Sequence, residues 1–241
     1  MTADDPTRAP RPPDRAAVDV VDEAGRQLRA PWAASVAGLL FAGLFTAAFL
    51  MLRTDALFDA EDPLLGMLFA RGEDLSSFIG GVYLAPFAGI MFLWFIAVIR
   101  DQIGEREDRF FATVFFGSGV LFVALLFVTA ALASAPSVSV RYLHQPTPSV
   151  ETIDTLRSLS YTVAFAFMNR AAGVFLFATA TIGLKTGVFP RWFSLISYVL
   201  GAVLLIAVSF LEVALLVLPA WVAVVSLFIL RRERQRRRLA A

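Results

Sequence analysis

The chain has 241 residues, 58% of them hydrophobic and 17% charged, with a mean hydropathy of +0.72. Soluble domains carry about a quarter charged residues, so this is the composition of an integral membrane protein. The absence of cysteine excludes disulfides, thiolate metal sites and cysteine nucleophiles, and a single histidine, His144, excludes a bis-histidine haem, an HExxH zinc site and paired catalytic imidazoles.

In chain order, the first 31 residues hold no apolar h-region, so no signal peptide is expected. Up to Pro13 the tail is rich in Pro, Asp and Arg and reads as disordered. From Asp14, Ala17, Val20, Val21, Ala24 and Leu28 recur at helical spacing, with Asp19, Asp22, Glu23 and Arg26 on the other face. That pattern fits either a short helix lying on the inner membrane surface or an extension of the first span.

Crossing about 30 Å of hydrocarbon takes about 20 residues of helix. Runs of that length without charge predict spans near 32–52, 77–99, 110–135 (ending near Pro136) and 158–184, the last interrupted by Asn169 and Arg170. Beyond Arg191, the run from Trp192 to Leu230 is broken only by Glu212. As one straight helix it would be about 58 Å long, twice the membrane. Two helices over 192–210 and 213–230, folded near Phe210 to Val213, fit instead. The predicted fold is therefore all-α: a six-span transmembrane bundle over 32–230, flanked by tails over 1–31 and 231–241.

Charge placement supports this parity, because cytoplasmic segments collect Lys and Arg. With both termini inside, sixteen basic residues are cytoplasmic and four (Arg53, Arg71, Arg141 and Arg157) lie outside. Five spans would expose Arg231, Arg232, Arg234, Arg236, Arg237 and Arg238 outside, against the rule. The one lysine among 21 basic residues points to a GC-rich bacterial genome, so the expected location is a bacterial plasma membrane.

Arg170 is the residue most in need of explanation, since a charge near the bilayer centre costs about 2.5 to 3.5 kcal/mol on insertion scales. Counting about 1.5 Å per residue from Lys185 places it roughly 22 Å up, level with Thr46 on the first span and Pro86 on the second. Pro86 donates no N–H, which leaves the Val82 carbonyl free to accept from the guanidinium. Asn169 and Tyr161 add local donors and acceptors, whereas Glu212, the only carboxylate within the spans, sits about 30 Å above Trp192, near the outer face. Two readings follow. Arg170 is an anion-recognising or gating residue in a midplane pocket, or it is a structural arginine that staples helices through carbonyls and Glu212.

Small residues repeat at i, i+4, i+8 as Ala34, Gly38, Ala42 on the first span and Gly81, Ala85, Gly89 on the second. Both stripes read as close contacts within one chain, with homo-oligomerisation as the alternative. The outer loop from Arg53 to Ser76 gathers Asp55, Asp59, Glu61, Asp62, Glu73 and Asp74; the spacing fits no EF-hand, so it reads as a solvated acidic loop. Within it, Asp62 and Pro63 open a short apolar helix over Leu64 to Ala70, too short to span. His144, among the loop prolines, reads as solvated or as a pH sensor. The arginines after Leu230 suit a stop-transfer anchor that also meets anionic lipid heads.

The turn Gly183-Leu184-Lys185-Thr186-Gly187-Val188-Phe189-Pro190-Arg191-Trp192, with Arg170 upstream and Leu218-Pro219-Ala220-Trp221 in the last span, resembles an uncharacterised family of six-helix, multi-pass bacterial integral membrane proteins. The inner loop Arg100 to Arg109 followed by Phe110, Phe111, Ala112 and Thr113 carries the same likeness. The resemblance implies the fold and the membrane location; it brings no activity with it.

No catalytic constellation, metal-ligand set or cofactor motif is visible, so an enzyme is not expected. The first expectation is an accessory or structural membrane component that packs against the bilayer and an unidentified membrane protein partner, with no role in nucleic-acid binding. The alternative is a small transporter or binder of an anionic or amphipathic molecule using Arg170.

Overall fold

The computed structural model describes residues 31–57, 78–103, 109–146, 148–187, 189–206 and 212–240. The expectations for the N-terminal tail and the helix over Leu64 to Ala70 lie outside the described residues, as does the acidic outer loop beyond Leu57; its first residues, 53–57, belong instead to the first helix. Among the described residues every regular element is helical. Helix α1 is Pro31–Leu57. Helix α2 opens with a π turn, Ile79–Leu84, and continues as an α-helix, Ala85–Ile103. Helix α3 is Arg109–Arg141. Helix α4 joins α-helical Val150–Thr162, a π turn Val163–Met168 and α-helical Asn169–Thr186. Helix α5 is Arg191–Ile206, and α6 begins with a 3-10 turn, Glu212–Leu216, before α-helical Val217–Ala240.

Among the described residues five stretches are long and apolar enough to cross a membrane: Trp32–Leu52, Ile79–Arg100, Phe110–Arg141, Val150–Thr186 and Val213–Arg231. The described part of α5 adds a shorter apolar helix of 16 residues.

Local chemistry sets several helix ends. The Ser149 side chain accepts from the Thr152 N–H to cap α4. At the other end Gly187 takes φ +66°, the left-handed conformation that stops a helix and that glycine adopts without steric cost. Pro219 falls in the first turn of the α-helical part of α6, next to the change from 3-10 to α-helix. Helix α3 differs from expectation, running past Pro136 to Arg141. The proline withholds the donor that would reach the Leu132 carbonyl, and the helix continues through it. Beside it Ser134 Oγ donates to the Ala130 carbonyl and Ser139 Oγ to the Pro136 carbonyl, each at 2.7 Å.

The helices close into a ring. Helix α1 packs between α2 and α6, α2 meets α3, α3 meets α4, and α4 meets α5. Trp221 of α6 completes it, donating from Nε1 to Ser197 Oγ of α5 at 2.8 Å, while Ser197 donates to the Phe193 carbonyl at 2.9 Å. The centre is filled by aromatic rings. Phe41 and Phe92 stand 4.5 Å apart between centroids, Phe92 and Phe175 5.2 Å, and Phe175 and Trp221 6.2 Å, spacings at which tilted rings attract.

Both small-residue stripes are used inside the chain. A Cβ on Gly38 would lie 2.9 Å from the Phe95 ring of α2 and collide with Ser226 Oγ of α6. On α2, Gly81 faces Ser134 and Ala130 of α3, and Gly89 faces Phe127 and Val123 of the same helix.

Candidate functional site: a groove between α3 and α4

Helices α3 and α4 touch at two levels. Ser160 Oγ of α4 donates to the Thr129 carbonyl at 3.1 Å, and the Phe115 and Phe175 rings stack at 4.9 Å. Along this stretch, on the perimeter of the bundle, lies a cavity of about 500 Å³. Val114, Gly117, Ser118, Leu121 and Leu125 form its α3 wall; Phe167, Arg170, Ala171 and Val174 form its α4 wall. Each set repeats at helical spacing, so one face of each helix builds one wall. Ser118 contributes little polarity, because its hydroxyl turns back to the carbonyls of Val114 (2.7 Å) and Phe115 (3.1 Å). A Cβ on Gly117 would meet nothing within 4 Å, so this glycine leaves room in the groove rather than admitting a neighbouring helix.

Arg170 is half-buried, and its Nη1 donates to the Ala166 carbonyl four residues earlier. Ala166 lies in the π turn, where the Asn169 N–H reaches back five residues to the Ala164 carbonyl. A guanidinium carries five N–H donors, and none of the other residues lining the groove is acidic.

The structure brings few of the expected residues to this groove. Asn169, the neighbour of Arg170, is buried on the inward face of α4. Tyr161 lies on the same helix, its ring 5.8 Å from Phe165. Thr46 on α1 and Pro86 on α2 are half-buried and line no part of the groove. Glu212 begins the 3-10 turn, a segment that packs against the π turn of α4; its side chain lies outside the described residues. The expected bond from Arg170 to the Val82 carbonyl is replaced by the bond to Ala166. Helical side chains lie back over the preceding turn, which brings the guanidinium to its own helix first. The start of α2 is meanwhile held between α1 and α3, with Gly80 against Met51 and Ala48, and Gly81 against Ser134.

The groove residues other than Arg170 escaped the sequence reading. Their one signal was periodic: Phe167, Arg170, Ala171 and Val174 share a face at i, i+3, i+4, i+7. No metal-ligand cluster of three or more His, Cys, Asp or Glu occurs among the described residues. No protein-family model, curated protein or solved structure matches this chain.

Proposed function

We propose that this protein is an accessory, structural component of a bacterial plasma membrane, crossing it six times with both termini in the cytoplasm. The observation that supports a structural role is the solid centre: Phe41, Phe92, Phe115, Phe122 and Phe175 are all buried where a midplane substrate chamber would need space. Support for six crossings comes from the five long helices, the apolar α5 and the arginines that close α6. Arg231, Arg232, Arg234, Arg236, Arg237 and Arg238 then meet anionic lipid heads at about 1 kcal/mol each.

The cysteine-free chain makes the test direct. Gln145→Cys, in the loop before α4, reacts with a membrane-impermeant maleimide on intact cells, whereas Gln235→Cys reacts only after permeabilisation. Labelling of Gln235→Cys from outside replaces six crossings by five.

One observation favours a second reading, a small binder of an anionic or amphipathic molecule. It is Arg170, a cation on the wall of an otherwise apolar groove.

A further inference from the structure

We propose that the groove between α3 and α4 holds a long-chain fatty acid, its carboxylate on Arg170 and its alkyl chain along Leu121, Gly117 and Val174. This rests on the second reading above, that Arg170 binds an anion, and it names the anion.

The charge comes first. At hydrocarbon depth a guanidinium needs acceptors, yet Arg170 bonds one carbonyl of its own helix and shares its groove with no acid. A carboxylate matches the remaining donors as a fork, two parallel bonds at once. The walls come second. Leu121, Leu125, Phe167 and Val174 are apolar, Ser118 has turned its hydroxyl away, and Gly117 leaves open space, so the remainder of the occupant is hydrocarbon. Size decides how much. A cavity of about 500 Å³ holds on the order of 15 groups the size of a water or a methylene, at about 30 Å³ each. That is one chain rather than two. Depth selects the head. Arg170 lies twelve residues into the span expected to begin at 158, about 18 Å, where a bare carboxylate can follow its chain but a phosphodiester would draw its whole headgroup into the hydrocarbon.

The test uses the full chain in phosphatidylcholine nanodiscs, with a diazirine-bearing palmitate as the probe and adducts mapped by mass spectrometry. Expected adducts fall on 114–125 and 167–174, and palmitate competes them away while methyl palmitate does not. Arg170→Gln weakens retention about tenfold or more, the loss expected for a charge-assisted hydrogen bond. Gly117→Leu, which fills the groove without touching the core, abolishes the adducts and does not lower the unfolding temperature. Adducts scattered over other faces, equal labelling of both variants, or competition by methyl palmitate overturns the proposal. Arg170-dependent retention of phosphatidylglycerol in place of palmitate overturns the fatty acid but keeps Arg170 as an anion site. An Arg170-dependent dimer in place of an adduct gives the groove to a second copy. If no anion is retained through Arg170, the second reading falls with the proposal.

Discussion

Helix α4 has two faces that meet their neighbours in opposite ways. Toward α5 the backbones nearly touch: a Cβ on Gly173 would lie 2.9 Å from the Gly201 carbonyl oxygen, and one on Gly201 would lie 3.0 Å from that of Gly173. Thr181 Oγ1 and the Tyr198 hydroxyl add a bond of 2.7 Å between the same two helices. Toward the perimeter groove, Arg170 among the described residues bonds within its own helix, and the glycine across from it, Gly117, faces open space. In lipid no hydrophobic force draws helices together, so close packing and interhelical hydrogen bonds hold them, and small residues mark where that happens. A glycine spent on contact closes an interface. One facing a gap leaves volume for something else.

Four substitutions break or sharpen this contrast. Gly173→Leu acts on the closed face and should cost the most, about 3 kcal/mol, because the new side chain meets backbone that cannot give way. Reversible unfolding in mixed detergent reads it, and native stability for that variant would remove the distinction between the two faces. Trp221→Phe deletes the donor that reaches Ser197 across α5 and α6, at about 1 kcal/mol; the same unfolding assay reports the loss. Arg170→Leu, on the open face, should shift stability by less than about 1 kcal/mol and leave membrane expression intact. If quantitative blotting shows it degraded, Arg170 joins the structural residues. Gly117→Leu is the mildest for folding, neutral or stabilising by up to about 1 kcal/mol through helix propensity, and a fall in its melting temperature would mean that a neighbour occupies the gap.

Much of the bundle was legible from length and charge alone. The helices Trp32–Leu52 and Ile79–Arg100 lie close to charge-free runs, whereas α3 runs on to Arg141 and α4 begins at Val150, eight residues before the expected span, and takes in Glu151, Asp154 and Arg157. The direction in which Arg170 points was not legible. A span that is apolar on every side gives little amphipathic contrast, so periodicity finds the shared face of Phe167, Arg170 and Val174 without saying which way it looks. The π turns at Ile79–Leu84 and Val163–Met168 left no trace in hydropathy either, because they change backbone phase and not composition. Helix α3 outran its expected end because a proline removes one donor without by itself ending a helix inside a bundle, so Pro136 is a weaker stop than its sequence signal suggests.

The π turn in α4 gives that helix a tolerance of its own length. It holds one residue more than an α-helix would over the same rise, so the widened turn absorbs that residue and keeps the two flanking α-helical parts in phase. Deleting a single codon within 163–168 would therefore restore a regular helix while leaving Ser160 against Thr129 and Gly173 against Gly201. A further insertion has no such outlet, since one residue corresponds to about 100° of rotation and would turn one of those contacts away. Gene variants that have lost one residue here should be commoner than variants that have gained one.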